Sequence, residues 1–461
     1  MINVEFNNED IKHNVFEFLR ITFPSYELYN DLNVKIIEED NYLIKVSCEN
    51  FNKSFYAKKV KDKREQKYII KQQLYKNLEE FFEFKDSWGI LTGIRPVKLV
   101  IKLLEKFSEQ ETEEILKNYY LLSDDSIKTA INIARREQKI IYPLDKNRYS
   151  LYIHIPFCPS KCSYCSFLTM SNKSENTEIY IKTLIEELKS ESDKIQKAPR
   201  TIYIGGGTPT AVKIEELEKV IKTVKSYYGL SDEFTVECGR PDTINKDVLS
   251  MLYENKVNRI SINPQTMNDK TLNLIGRNHS VEDIINTYYD ARKIGFNCIN
   301  MDLILGLPDE SKSDVIKSLN DVIELKPENI TIHTLAVKNG SKLYESKYNN
   351  IKESNDILKA TKEITFRNKY NPYYMYRQKR MMGNGENIGY AIDGFESVYN
   401  IIMMEEKESV LGFGMCSTTK FFYPEEDRIE KIMQYRNLKD YVENFGKVNK
   451  KKDKYFVDFE F

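Results

Sequence analysis

The sequence predicts an α/β chain built around a partial (β/α)6 TIM-like barrel, with an N-terminal α+β domain before it and a small C-terminal α+β domain after it. Two observations predict this. Between about residues 150 and 340, six short β-branched or aromatic runs alternate with polar turns and amphipathic helical patterns, and outside that region the alternation stops. Strand and helix alternating in this way indicate right-handed parallel βαβ units, which wrap into an open sheet or a barrel, and six units make an incomplete barrel.

In chain order, residues 9–23 read as an amphipathic helix. Residues 34–37, 42–48 and 53–58 read as alternating strands, and several helices follow up to 138. These form the expected N-terminal domain, 1–147. Within it Gly89-Ile90-Leu91-Thr92-Gly93-Ile94-Arg95-Pro96 is a Gly/Pro-punctuated turn before a helix. It reads as the end of a loop, with an anchoring role as the alternative. The barrel, 148–345, takes its strands from 151–155, 201–204, 233–237, 259–263, 298–305 and 329–334. Its helices are expected at about 177–197, 213–228, 245–255, 280–294 and 310–325. The C-terminal domain, 346–461, is expected to cover the substrate. It contains a helical stretch at 353–370, a Tyr/Arg/Gly-rich segment at 372–392, strand-like runs near 397–404 and 409–414, and a strand candidate at 455–461.

Bulk properties exclude several classes. The 461 residues carry 69 Lys plus Arg against 70 Asp plus Glu, a formal net charge of −1, with the signs interspersed. That argues against a dedicated nucleic-acid or anionic-membrane surface. No apolar run approaches the ~20 residues that span a bilayer, and the N-terminus lacks the basic start and apolar core of a signal peptide. The expectation is a cytoplasmic protein with no membrane span and no nucleic-acid partner. Hydrophobic residues at 41% suffice for packed cores. Seven cysteines form an odd set in such a chain. A disulfide framework is disfavoured, and clustered cysteines read as metal or redox ligands.

Cys158, Cys162 and Cys165 sit on the loop that follows the first barrel strand. Three thiolates at this spacing can converge on one iron–sulfur cube, whereas the two CxxC pairs of structural zinc are missing. With three protein ligands, one iron keeps an open coordination position for a small chelating molecule. The alternative is three ordinary cysteines, free or binding zinc with His154. Cys48, Cys238, Cys298 and Cys416 are isolated and read as small apolar residues. Further candidates follow the other strands: Gly205, Gly206, Gly207 and Thr208 after the second, Glu237 at the end of the third, Gln265 after the fourth and Asp302 late in the fifth. A carboxylate or amide at a strand's C-terminal end can reach a ligand there, with a helix cap or surface residue as the alternative for any one taken alone. Arg277 can grip a carboxylate with two hydrogen bonds.

Cys158, Cys162 and Cys165, with Tyr164 as the aromatic before the third cysteine, resemble the CxxxCxφC signature of the radical S-adenosylmethionine (SAM) superfamily. Gly205 to Pro209, Thr235-Val236-Glu237, Gln265-Thr266, Gly276-Arg277-Asn278-His279 and Asp302 to Pro308 resemble motifs of its oxygen-independent coproporphyrinogen III oxidase-like family. The flanking segments Gly89 to Pro96, Tyr373 to Arg380 and Gly383 to Ala391 are most similar to the HemZ-type branch. The resemblance implies a [4Fe-4S] cluster held by the three cysteines. It implies SAM held by Tyr152, Tyr164, Phe167, Gly205, Gly206, Gly207, Thr208, Glu237, Gln265, Arg277 and Asp302, and an electron donor such as flavodoxin or ferredoxin. The implied activity is oxidative decarboxylation of the propionates of coproporphyrinogen III to vinyl groups, giving protoporphyrinogen IX. A heme chaperone and an anaerobic heme-degrading methyltransferase are the alternatives within the family.

For a tetrapyrrole substrate the candidates are His154, Arg377, Lys379 and Arg380. A backbone-bonded core histidine and a solvated basic segment are the competing readings. The chain departs from well-studied relatives in two places. Ser166 and Phe167 follow Cys165 where those relatives carry a further cysteine, and Tyr376-Arg377-Gln378-Lys379-Arg380 replaces their C-terminal YE-type segment. Ligation by three thiolates is untouched; the arrangement of substrate or of a second SAM is what these departures bear on.

Overall fold

Strand residues alternate between two environments, and this alternation sets the faces of the central sheet. On the first barrel strand Leu151, Ile153 and Ile155 are fully buried, while Tyr152 and His154 between them are half-buried. Successive side chains on a strand point to opposite faces, so one face is apolar and packed while the other carries polar groups. The computed structural model describes residues 2–22, 32–49, 51–79, 81, 86–93, 95–172, 174–346, 348, 354–378, 381 and 385–461. They divide into two units, 1–135 with 376–386, and 136–375 with 387–461.

The first unit opens with β1 (Ile2–Glu5), α1 (Glu9–Thr22), β2 (Leu32–Glu38), β3 (Tyr42–Cys48) and β4 (Phe51–Ala57). These strands form a four-stranded sheet in sequence order, with β1 parallel to β2 and the other pairs antiparallel. Helix α1 buries Val15, Phe18 and Leu19, and α2 (Lys63–Leu78) buries Ile70, Leu74 and Leu78. Asp62 caps α2 by accepting from the backbone N–H of Arg64 and Glu65. Helices α3 (Pro96–Leu104), α4 (Glu109–Glu114) and α5 (Asp124–Ile141) follow, as expected for an α+β region.

The turn at 89–96 is structural where it is described. Gly89 has φ +54°, and a Cβ there would meet the Tyr120 carbonyl oxygen at 2.3 Å. Pro96 occupies the first turn of α3. Ile94 of that motif lies outside the described residues.

The second unit holds the barrel. Its strands are β5 (Tyr149–Ile155), β8 (Thr201–Gly206), β9 (Glu233–Glu237), β10 (Arg259–Ser261), β11 (Ile299–Leu305) and β12 (Asn329–Thr334). A two-stranded ribbon of β6 (Phe157–Cys158) and β7 (Met170–Ser171) follows β5. The six barrel strands lie side by side in sequence order, every neighbouring pair parallel. Helices α6 (Ser174–Ser192), α7 (Ile214–Tyr228), α8 (Lys246–Glu254), α10 (Val281–Ile294) and α11 (Lys312–Leu325) connect them, with a short α9 (Asp269–Leu274) before α10. The partial (β/α)6 barrel expected from the sequence is present. Short α12 (Lys342–Glu345) and then α13 (Ser354–Arg367) follow the sixth strand.

Residues beyond 370 extend the same sheet. On one side β14 (Asn387–Ala391) pairs antiparallel with β12, and β13 (Asn371–Tyr376) lies beyond it. On the other, β15 (Ser409–Phe413) pairs parallel with β5 and is followed by antiparallel β16 (Thr418–Tyr423) and β17 (Arg428–Met433). The sequence boundaries at 147 and 345 therefore differ from the two units, and most of the expected C-terminal region shares the barrel's sheet.

Two expected strands are corrected. Residues 398–405 form a helix, α14 (Val398–Glu405), because Glu233 accepts the Val398 and Tyr399 backbone N–H and the Ser397 hydroxyl, fixing a helix N-terminus there. Residues 455 and 456 end a long helix, α15 (Leu438–Phe456), and 457–461 are not a strand. Their aromatics follow a packing need instead, since Phe456, Phe459 and Phe461 surround Phe421 with ring centroids 5.3, 5.4 and 6.3 Å away.

Candidate functional site

The polar face of the barrel strands gathers the candidates. Parallel register sets Tyr152 beside Tyr203 and His154 beside Gly205 on β5 and β8, and Asp302 beside Thr331 on β11 and β12. On β5 the Tyr152 hydroxyl lies 2.9 Å from His154 Nδ1. The Tyr203 hydroxyl donates to Glu237 Oε1 at 2.5 Å, and the Gly206 N–H donates to Glu237 Oε2 at 3.1 Å. Burial pushes the Glu237 carboxyl up to about 7 despite those two hydrogen bonds. Burial also disfavours ionisation of Asp302, yet hydrogen bonding with His333, Asn300 and Thr331 prevails and holds it below the ordinary range. Its partners include Asn300 Nδ2 at 2.7 Å and His333 Nε2 at 3.7 Å.

One end of this face is closed. Glu233, Arg259 and Asn329 begin β9, β10 and β12, and all three bind the segment entering α14. Glu233 takes its first N–H groups, while Arg259 and Asn329 donate to the Phe395 carbonyl at 3.0 and 2.7 Å. Tyr399 of α14 stacks on Tyr203, with centroids 4.2 Å apart, and on Tyr152 at 6.1 Å. The N-terminal ends of the strands are thus floored by α14, and the candidates near the C-terminal ends face the other way, where ligands of such barrels bind.

At those C-terminal ends stands the cysteine loop. Cys158 closes β6, and the pairing of β6 with β7 brackets the loop carrying Cys162 and Cys165. The loop is tied down by its own turn and by the ends of two short helices, α9 and α12. Ser163 N–H donates to the Ile275 carbonyl, Leu343 N–H to the Ser163 carbonyl and Cys165 N–H to the Cys162 carbonyl. Tyr164 packs against Ile275, Ile304, Leu307, Leu335 and Leu343. Burial pushes the Cys158 and Cys165 thiols above their ordinary range, so holding them as thiolates requires positive charge alongside. Among the described residues no three His, Cys, Asp or Glu are placed to hold a single metal ion. A cubane draws one thiolate to each iron, so its cysteines need not meet at one point.

The glycine turn adjoins this loop. Gly207 N–H donates to the Ile155 carbonyl, and a Cβ on Gly207 would meet the Phe157 carbonyl oxygen at 2.6 Å and Cys158 Sγ at 3.0 Å. Gly206 has φ +122°, a backbone reserved for glycine. Thr208 is buried with its hydroxyl 3.5 Å from Cys158 Sγ. Gln265 also has positive φ, +67°, and is held in place by donating to the Asp302 carbonyl and accepting from Ile304 N–H. Arg277 is buried and donates to the Asn263 carbonyl at 2.5 Å. Among the described residues, Gln265 Oε1, Arg277 Nε and His154 Nε2 are buried without a hydrogen-bond partner. Buried polar atoms of this kind call for a ligand or water. Three thiols, a side-chain-free cradle against one of them and unpartnered polar groups fit a metal cluster with a small polar molecule bound over it.

Comparison with known proteins agrees. The family model described as the radical SAM superfamily matches residues 152–322. The oxygen-independent coproporphyrinogen-III oxidase-like protein HemZ of Bacillus subtilis (strain 168) is 37% identical over 388 residues, covering 80% of this chain and 77% of that protein. The chain belongs to the radical SAM, coproporphyrinogen III oxidase-like family, in its HemZ branch. Its cofactors are a [4Fe-4S] cluster and SAM. The heme chaperone HemW of Lactococcus lactis subsp. lactis (strain IL1403) is 31% identical, covering 56% of this chain and 66% of that protein. The solved structure of coproporphyrinogen III oxidase (HemN) from Escherichia coli, a radical SAM enzyme, has a TM-score of 0.55 at 22% identity, covering 68% of this chain and 72% of that one. That likeness bears on the fold.

Not every candidate joins the site. Phe167 is 70% exposed beside the cysteine loop. Arg377 is corrected as a substrate-pairing residue. In the first unit its guanidinium is buried, donates to the Leu91 carbonyl at 2.6 Å, sits 3.8 Å from Asp86 and lies 5.6 Å from the Trp88 ring centroid. A guanidinium so engaged supports the turn at 89–93. Lys379 and Arg380 lie outside the described residues. For His154 the expected ring bond to backbone is replaced by one to a side chain: its Nδ1 meets the Tyr152 hydroxyl, and burial pushes its pKa down to about 4, so the imidazole is neutral. Cys238 and Cys298 are buried as expected, whereas Cys48 and Cys416 are half-buried.

Sequence reasoning passed over one residue of the site. Arg240 follows Glu237-Cys238-Gly239 and reaches the cysteine loop, donating to Ser160 and to Cys162 Sγ. Its signal was an arginine before Pro241-Asp242 at the end of the third strand, where a cation beside thiolates was to be expected.

Proposed function

We propose that this chain is a radical SAM oxidoreductase that converts the propionates of coproporphyrinogen III to vinyl groups without oxygen, giving protoporphyrinogen IX. The observation that carries the reading is the convergence of three cysteines with Gly205–Thr208, Glu237, Gln265, Arg277 and Asp302 at the C-terminal ends of one barrel. In this reading Cys158, Cys162 and Cys165 hold the cluster. Tyr152, Tyr164, Gly205, Gly206, Gly207, Thr208, Glu237, Gln265, Arg277 and Asp302 hold SAM. When bound and reduced, the pair supplies a carbon-centred radical able to abstract hydrogen from an unactivated carbon.

The protein's part is position and exclusion. Gly205 to Gly207 leave backbone free to approach a ligand's ammonium. Glu237 and Asp302 offer carboxylate acceptors for hydroxyls, and the unpaired Gln265 Oε1 and Arg277 Nε offer an acceptor and a donor that binding would satisfy. The floor of Tyr152, Tyr203 and Tyr399 shuts out water from below. In this reading His154, neutral at working pH, is a candidate to meet the substrate. Among the described residues no helix is long and apolar enough to cross a membrane. We place the protein in the cytoplasm, with a flavodoxin- or ferredoxin-like donor.

Anaerobic reconstitution with iron and sulfide, followed by SAM, dithionite and coproporphyrinogen III, tests the reading. The expected result is 5′-deoxyadenosine together with mono- and divinyl products by mass spectrometry. 5′-Deoxyadenosine with no decarboxylated tetrapyrrole rejects the substrate. The relatives named heme chaperone HemW support a second reading, in which heme binds stably and passes to an acceptor with no vinyl product.

A further inference from the structure

Arg240 stands at a junction that the cofactor assignments leave out. It follows the strand ending in Glu237 and is 3% exposed. One edge of its guanidinium forks onto Asp242, with Nε 2.9 Å from Oδ1 and Nη2 2.7 Å from Oδ2. The remaining nitrogen, Nη1, points at the cysteine loop, donating to the Ser160 carbonyl at 3.1 Å, to Ser160 Oγ at 2.9 Å and to Cys162 Sγ at 3.7 Å. Asp242 is backed by His279, whose Nδ1 lies 3.5 Å from Oδ1, and the turn bearing Arg240 is clamped by Arg277, which donates to the Gly239 carbonyl at 3.4 Å.

A fork fixed on a carboxylate can rotate little, so the third nitrogen is aimed with small entropic cost. A lysine at this position would reach the loop only as a point charge. The loop could have been tied by the Ser160 bonds alone; the bond to sulfur is the feature a merely structural arginine does not need.

We propose that Arg240, held by Asp242 and His279, is a positioning residue that donates a charge-assisted N–H···S hydrogen bond to Cys162 and thereby sets the reduction potential of the cluster. This rests on the assignment of Cys162 as a cluster ligand. Reduction adds one electron, supplied by an external low-potential donor, and makes the cluster and its thiolates more negative. A donor and a cation at the sulfur stabilise the reduced form more than the oxidised form and raise the potential. Reduction is the step that must precede any use of SAM, so Arg240 acts on how readily the site accepts its electron.

The test uses the full-length chain reconstituted anaerobically, as wild type and as Arg240→Gln, Arg240→Lys and Asp242→Asn, with iron and sulfide content, paramagnetic resonance of the dithionite-reduced cluster and a redox titration. The expected result is iron content near wild type in all and a more negative midpoint potential in Arg240→Gln. That shift amounts to about a tenfold loss in the reduction equilibrium, about 59 mV for a one-electron couple. Arg240→Lys and Asp242→Asn should show smaller shifts of the same sign. An Arg240→Gln cluster with full iron and the wild-type potential overturns the inference and leaves the cluster assignment standing. A wild-type chain that takes up no [4Fe-4S] cluster overturns both. Should Arg240→Gln fail to load, Arg240→Lys and Asp242→Asn carry the measurement, and wild-type potentials in both, or loss of iron in all three, leave Arg240 as loop support only and overturn it.

Discussion

At Glu237 two forces compete, and the outcome is measurable. Burial favours the neutral acid, the Tyr203 hydroxyl and Gly206 N–H favour the carboxylate, and burial prevails, leaving a pKa of about 7 against an ordinary 4.5. A carboxyl whose pKa is higher in the folded chain takes up a proton on folding between those values. Stability of the cofactor-free protein therefore falls as pH rises from about 4.5 to about 7, by up to roughly 3 kcal/mol, and this contribution is flat above and below. Glu237→Gln should remove that slope, read from urea denaturation at pH 5, 6 and 7.5; an unchanged slope would place the titration elsewhere. Glu237 was legible in the sequence because a carboxylate ending a β-branched run obeys a positional rule. Arg240 was not, since its role depends on a turn that folds it back onto a loop nearly eighty residues earlier in the chain, a closure that no local pattern encodes.

Among elements, the strands of the barrel were legible almost residue by residue, because parallel strands buried on both faces read as short β-branched runs bounded by turns. Glu233–Glu237 and Asn329–Thr334 coincide with their expected runs. The short α9 left too little periodicity to be read, and α14 was misread because Val398–Glu405 is apolar enough to pass for a buried strand. What makes α14 a helix is a carboxylate far away in sequence. Glu233 Oε1 accepts from Ser397 Oγ at 3.0 Å and Tyr399 N–H at 2.9 Å, and Oε2 from Val398 N–H at 2.7 Å. Replacing Glu233 with Ala strands these donors at a buried helix start and removes a favourable charge at the positive end of the helix dipole. A loss of about 2–4 kcal/mol follows. Chemical denaturation of Glu233→Ala should show it, with Glu233→Gln intermediate. Since α14 carries Tyr399 beneath Tyr152 and Tyr203, SAM affinity should fall along with stability; a stable variant with unchanged affinity would contradict the account of the floor.

For the whole molecule the chain's path matters more than its order. The sequence suggested three consecutive domains, but residues 376–386 leave the second unit and belong with the first, and what secures them is chemistry invisible to periodicity. Arg377 donates to the Leu91 carbonyl and approaches Asp86, while Glu386 Oε2 accepts from Trp88 Nε1 at 2.9 Å. These are buried polar groups, and the excursion is anchored by satisfying them. The two readings of Arg377 now separate. A residue pairing a substrate carboxylate would, on replacement by Ala, weaken substrate binding while leaving the fold untouched. An anchor would leave the Leu91 carbonyl and the Asp86 carboxylate short of a donor, costing about 2–4 kcal/mol. The expected outcome for Arg377→Ala is early proteolytic cleavage in the first unit and a lowered unfolding midpoint by tryptophan fluorescence, for which Trp88, the single tryptophan, reports on this very contact. Iron content after reconstitution should stay at the wild-type level, because every cysteine of the candidate site lies in the second unit. A wild-type fluorescence transition combined with weakened tetrapyrrole binding would return Arg377 to the substrate.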